Sequence, residues 1–243
     1  MLLIDVSGSM QAEDFNHQSR LDAAIEASAV FVKSRSSDRI GLIEFAGGVK
    51  IISPLTIDYN ELVDYINNID IEYTWQTDGD DAVKTPIEFH NGTFIASAIG
   101  EAGYYLKSSA AKSKIIILLT DGYQEGDNFD PITIAKSVAA FGIKIYTIAI
   151  GSKSAAETGV PFPIFYKNKG KSYFKNSDGS LLKIPVDENS LKQIAELTGG
   201  AFYSAADKRS LAKIYSQIDA LEKSKIKIKS YSEYTEYFQI LLL

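Results

Sequence analysis

The run Lys114-Ile115-Ile116-Ile117-Leu118-Leu119-Thr120-Asp121-Gly122 decides the fold. Five aliphatic residues follow one another without polar alternation, and an Asp-Gly pair stops them. A strand that is apolar on both faces must be covered on both faces, which is the situation of a central strand in a parallel sheet. The flanking sequence supplies the rest of such a sheet. Met1–Ile4, Arg39–Phe45, Val49–Ser53, Ile143–Ile150 and Ala201–Ser204 read as strands. Helical stretches alternate with them at Ser19–Ser34, Tyr59–Ile69, Phe94–Lys107, Pro131–Phe141, Ser190–Leu197 and Lys208–Leu221. In the first of these, Leu21, Ala24, Ile25, Ser28, Phe31 and Val32 recur at helical spacing.

This alternation predicts an α/β fold: a Rossmann-like, doubly wound, mostly parallel sheet with helices on both faces. Ala46-Gly47-Gly48 is short enough for a hairpin, so the third strand is expected as one antiparallel edge strand, closed by Pro54. Two segments break the pattern. Tyr73–Asn91 is polar and acidic, with Asp78, Asp80 and Asp81, and reads as a solvated surface loop. Thr158–Pro185 places Asn168-Lys169-Gly170 and Asp178-Gly179 between short strand-like runs, and reads as a small β-meander insertion.

Composition narrows the function. The 243 residues carry a net charge of −6, with 45% hydrophobic and 23% charged residues, as expected for a soluble globular domain. An acidic surface is a poor match for phosphate backbones, so nucleic acid is not an expected partner. With no cysteine, disulfide frameworks, thiolate metal sites and Cys nucleophiles are excluded. The chain starts inside its first strand, so an upstream segment is expected. Residues 223–243 turn basic, then tyrosine-rich, and finish in Phe238-Gln239-Ile240-Leu241-Leu242-Leu243. That order resembles the interfacial belt before a membrane span, and the tail is read as leading toward a truncated transmembrane segment.

The residues that carry chemistry are Asp5, Ser7 and Ser9, directly after the first strand, and Asp121, directly after the central one. Open α/β sheets place their sites at the carboxyl ends of the strands, near the point where strand order reverses. Two adjacent central strands would bring Asp5 and Asp121 together. Two close carboxylates repel unless a cation sits between them, and hydroxyl plus carboxylate oxygens suit Mg²⁺, with Ca²⁺ or Mn²⁺ as alternatives.

Asp5-Val6-Ser7-Gly8-Ser9, a threonine in a later loop (Thr93) and Thr120-Asp121-Gly122 together resemble the von Willebrand factor type A (VWA) domain with its metal-ion-dependent adhesion site (MIDAS). The resemblance covers about residues 1–222. It implies Asp5, Ser7, Ser9, Thr93 and Asp121 as metal ligands, no catalytic residues, and a protein partner that offers an Asp or Glu to the metal. Ser19-Arg20-Leu21-Asp22-Ala23-Ala24, Asp38-Arg39-Ile40-Gly41-Leu42 and Phe45-Ala46-Gly47 further resemble the bacterial membrane-anchored aerotolerance (Bat) VWA proteins. That likeness implies a membrane-associated, periplasmic or extracytoplasmic domain, with a MoxR-type AAA+ ATPase system or other Bat-type membrane proteins as partners. His17, Phe94, Tyr123 and Glu125 are expected on the partner-binding rim.

The competing reading is a Mg²⁺-dependent phosphotransferase or hydrolase with Asp5 as nucleophile. Haloacid-dehalogenase-type phosphatases place a second Asp two residues after the nucleophile. Here that position is Ser7, so the proton donor is missing. Nucleophile-elbow, P-loop and dinucleotide motifs are absent. The two histidines, His17 and His90, are read as loop residues, with His17 the better candidate for a role near the site.

Overall fold

The computed structural model describes residues 1–220 apart from 16–17, 80, 88–89, 153–157, 206–209 and 212. The tail at 223–243 lies outside the described residues. The chain first builds one half of a sheet: β1 (Leu2–Asp5), α1 (Arg20–Lys33), β2 (Ile40–Phe45), β3 (Val49–Thr56) and α2 (Tyr59–Asn67). A hairpin of β4 (Tyr73–Asp78) and β5 (Asp81–Pro86) follows. The other half is α3 (Ile95–Lys107), β6 (Lys114–Thr120), α4 (Pro131–Ala139) and β7 (Ile143–Ile150). Four short strands are inserted next: β8 (Val160–Pro161), β9 (Pro163–Tyr166), β10 (Gly170–Tyr173) and β11 (Lys183–Ile184). The fold closes with α5 (Glu188–Thr198), β12 (Phe202–Ala205) and helical residues 210–211 and 213–220.

The main sheet has the order β12-β7-β6-β1-β2-β3 and is parallel except for β3, which runs antiparallel to β2. The chain winds outward from β1 in one direction and then returns to β6 to wind the other way. The reversal of order therefore falls between β1 and β6, where a crevice opens at the strands' carboxyl ends. Alternation along each strand divides the core. Leu2 and Ile4 of β1 and Ile117 and Leu119 of β6 pack with α1 and α2, whereas Leu3, Ile116 and Leu118 pack with α3, α4 and α5. Period-2 side chains on strands that are covered on both faces require this division. The doubly wound expectation holds.

Three local readings are corrected. Pro54 does not close β3; the strand runs on to Thr56, and proline is tolerated because β3 is the sheet edge. Tyr73–Asn91 is not a plain loop. Residues 73–86 form a hairpin in full register, with Gly79 at φ +59° in its turn. Its alternating Thr, Trp, Gln and Val residues suit a pleat, and its acidic turn conceals that pattern. Nor is the insertion a self-contained meander. β9 and β10 join the earlier hairpin in a four-stranded antiparallel sheet of order β10-β9-β5-β4, while β8 and β11 pair separately. Asp81, expected in solvent, is buried and accepts from the backbone N–H of Asn168, tying the two hairpin turns together.

Candidate metal centre

Parallel pairing of β1 with β6 puts Ile4 opposite Leu119, so Asp5 ends its strand beside Thr120. The Thr120 hydroxyl donates to Asp5 Oδ2 at 2.5 Å, and the Ser7 backbone N–H donates to Asp5 Oδ1 at 2.8 Å. Asp5 and Asp121 are both completely buried. Burial foremost, and then the charge of Asp121, push the Asp5 carboxyl up to about 7, against hydrogen bonds that pull it down. Ser7 leads a single 3₁₀ turn, Gly8–Gln11, which brings its hydroxyl within 3.0 Å of the Ser9 hydroxyl. Thr93 is buried, and a two-way backbone bridge to Glu125 (2.8 and 3.3 Å) seats it on the loop that follows Asp121. Three separate turns thus meet at the crevice: the one after β1, the one before α3 and the one after β6.

This donor set fits a hard divalent cation. Burial and the charge of Asp121 raise the cost of ionising Asp5, and a cation removes that cost. The hydroxyls of Ser7, Ser9 and Thr93 are neutral oxygen donors of the kind Mg²⁺ accepts, alongside waters it retains. Among the described residues there is no group of three or more His, Cys, Asp or Glu side chains that could hold a metal. Any cation here would rest on mixed hydroxyl and carboxylate oxygens. The cavity of about 410 Å³ bordered by Arg35, Arg39 and Lys112 lies at the opposite end of the sheet and contains none of the candidate ligands.

Of the expected rim residues, Tyr123 is 49% exposed and Glu125 is also exposed. The Phe94 ring lies close against the backbone of Gly92 and Gly126, beside the Thr93–Glu125 bridge. His17 lies outside the described residues. His90 is no loop-surface residue: it is buried, and its Nδ1 is 2.8 Å from the carbonyl oxygen of Val6, bracing the turn that carries Ser7. Burial holds its ring below the usual histidine range.

Sequence reasoning missed the most heavily engaged residue at the site. Ser19 and Asp22 form a capping box that starts α1 at Arg20. The Arg20 side chain is wholly buried; Nη1 donates to Asp121 Oδ2 at 2.8 Å, and Nε and Nη2 donate to Asp14 at 3.1–3.3 Å. Asp14 also accepts from the Ser152 backbone N–H at 2.9 Å. One guanidinium therefore joins the turns after β1, β6 and β7. No local signal in the sequence marks it, because an arginine at the first turn of a helix is ordinarily solvated. The smaller sheet adjoins the same region: a Cβ on Gly8 would meet Phe162 and Pro86 at 3.6 Å, and Lys171 pairs with Glu13.

The von Willebrand factor type A domain model matches residues 1–124. An uncharacterized protein of Borreliella burgdorferi is 28% identical over 232 residues, covering 94% of this chain and 60% of the relative. The chain spans about three fifths of the length of the curated relatives it matches first. Among solved structures, an aerotolerance-related membrane protein from Bacteroides fragilis superposes with a TM-score of 0.72 at 24% identity, over 90% of this chain and 98% of that one. Proximal thread matrix protein 1 of the mussel byssus, solved with zinc in its MIDAS motif, gives a TM-score of 0.58 at 17% identity, over 91% of this chain and 46% of that one. Among the described residues no helix is long and apolar enough to cross a membrane. With a family model matched over half its length and the expected crevice between β1 and β6, the chain belongs to the von Willebrand factor type A family.

Proposed function

We propose that this domain recognises a protein partner through a divalent cation held by Asp5, Ser7, Ser9, Thr93 and Asp121, with the partner supplying an Asp or Glu carboxylate. The observation that carries the reading is a pair of wholly buried carboxylates, Asp5 and Asp121, at the ends of adjacent strands with serine and threonine hydroxyls around them. Family membership supports an interaction module, and the zinc-bearing motif of the mussel protein supports a cation at this position of the fold. When bound, the cation would supply Lewis-acid attraction for an outside carboxylate.

The chain's own residues set up the rest. Thr120 and the Ser7 backbone N–H hold Asp5 in place, and the Thr93–Glu125 bridge keeps the Thr93 loop on the Asp121 loop. Tyr123, Glu125 and Phe94 form the rim against which a partner would pack, as would His17. Hard, largely neutral oxygen donors favour Mg²⁺, with Mn²⁺ and Ca²⁺ as alternatives. We read residues 1–222 as one VWA domain and 223–243 as a tail toward a membrane anchor. On that reading the domain is extracytoplasmic and works with Bat-type membrane proteins or a MoxR-type ATPase system.

Ser7→Ala with Ser9→Ala tests the reading. Calorimetric titration should show loss of Mg²⁺ binding while circular dichroism stays unchanged, because these turn hydroxyls contribute little to the core. Unchanged Mg²⁺ affinity in the double variant would reject it. The competing phosphotransferase reading predicts turnover of a generic phosphate ester that Asp5→Asn abolishes; we expect no turnover.

A further inference from the structure

Arg20 does more than neutralise a buried acid. Its Nη1 holds Asp121 Oδ2 at 2.8 Å, and both groups are completely buried. The other edge of the guanidinium is held by Asp14, which is in turn fixed by the Ser152 N–H. Among the described residues, Asp121 Oδ1 accepts a long bond, 3.3 Å, from the Tyr123 N–H. The two oxygens of one candidate ligand are therefore unequal: Oδ2 is committed to a fixed cation, whereas Oδ1 carries a long backbone bond. The Asp14 pair engages two nitrogens of the guanidinium, which fixes its geometry as well as its charge, and buried arginine pairs are costly to break.

We infer that Arg20 withholds one oxygen of Asp121 from the bound cation, so that the cation stays short of anionic ligands until an outside carboxylate arrives. This rests on the metal-bridged reading above and adds to it a reason for dependence on an acidic partner. With Arg20 in place, Asp5, Asp14, Asp121 and Arg20 sum to a charge of −2, and only part of that charge reaches the cation. A site without Arg20 would give Asp121 both oxygens, hold the cation more tightly and need the partner less. Arg20 acts here through Asp121 and is a positioning residue.

The sign of this effect separates it from a structural role. Arg20→Gln combined with Asp14→Asn removes one charge of each sign, so the remaining Asp5 and Asp121 still sum to −2. In the full chain, calorimetry should show Mg²⁺ binding about tenfold tighter than in the parent, from the oxygen that is released. Sodium acetate, used as the carboxylate probe, should tighten Mg²⁺ binding in the parent and do so less in the variant. A purely structural role predicts weaker Mg²⁺ binding, and equal or weaker binding in the folded variant overturns the inference. A second measurement needs no variant. In the parent protein the guanidinium proton resonances of Arg20 should stay protected through a Mg²⁺ titration. Their loss on saturation would mean that Asp121 Oδ2 has moved to the metal, and would equally overturn the inference. If the parent protein binds neither Mg²⁺ nor Mn²⁺, the metal-bridged reading falls and takes this inference with it. If the parent binds Mg²⁺ and only the variant result fails, the reading stands without Arg20's part in it.

Discussion

Metal and proton should compete for Asp5, and the structure sets the size of the competition. Asp5 is buried beside Asp121 and takes up a proton at about 7, whereas an unfolded aspartate releases its proton near 3.8. Between those values the folded, metal-free protein holds one proton more than the unfolded chain. Its stability therefore declines as pH rises through that window and levels off above about 7. Mg²⁺ affinity runs the other way, because the cation needs the carboxylate that the proton occupies. From pH 8 to pH 6 the ionised fraction of Asp5 falls about tenfold, so Mg²⁺ affinity should fall about tenfold, or about 1.4 kcal/mol. At a Mg²⁺ concentration about 100 times the Kd at pH 8, binding stabilises the fold by about 2.7 kcal/mol; at pH 6 the same concentration gives about 1.4 kcal/mol.

For a domain of this length, those figures correspond to increases in Tm of about 5–11 °C at pH 8 and about 3–6 °C at pH 6. Differential scanning calorimetry with and without Mg²⁺ at the two pH values measures both. Asp5→Asn should flatten the pH slope of the metal-free protein and abolish the Mg²⁺ response. Equal Mg²⁺-induced shifts at pH 6 and pH 8 would refute the reasoning, since a site whose central carboxylate is already ionised at pH 6 has no proton to displace.

Two further perturbations test the scaffold that aims these groups. Gly122 has φ +84°, and a Cβ there would lie 2.3 Å from the carbonyl oxygen of Asp187, whose own N–H bonds the Asp121 carbonyl at 2.8 Å. Gly122→Ala should cost at least about 2 kcal/mol in urea denaturation and weaken Mg²⁺ binding by shifting Asp121. The Ser28 hydroxyl lies 2.9 Å from the Tyr215 hydroxyl in the core beneath α1, and Ser28→Ala should cost about 1–3 kcal/mol by leaving a buried phenol unpaired, with Mg²⁺ affinity unchanged.

The main sheet was legible in the sequence because its physics is local to each strand. A five-residue aliphatic run needs cover on both faces, and short apolar segments separated by amphipathic helices leave few topologies open. Four of the five proposed ligands, Asp5, Ser7, Ser9 and Asp121, stood out for a related reason: strand ends in a doubly wound sheet converge at the point where strand order reverses. Thr93 follows no such rule and came from the family resemblance alone. The second sheet was not legible. Its strands come from two insertions separated by β6 and β7, and each looks weak alone; β10 is exposed throughout and β4 ends in an acidic turn. Pairing of β5 with β9 through Val83–Tyr166 and Lys84–Phe165 creates the sheet, and no single segment encodes that pairing.

Arg20 escaped notice for a different reason, and that reason bears on the site itself. A charged residue at the first turn of a helix is ordinarily solvated, and propensity gives no hint that this one is buried. Its burial depends on two acids outside its own helix, Asp14 six residues before it and Asp121 a hundred and one residues after it. Neither acid alone would offset the desolvation of a guanidinium; both together, with the Ser152 N–H completing Asp14, make the arrangement tolerable. The proposed metal centre is thus assembled only when the turns after β1, β6 and β7 are already in place. A sequence can mark its donors, but the unequal treatment of Asp121's two oxygens arises only from the closed fold.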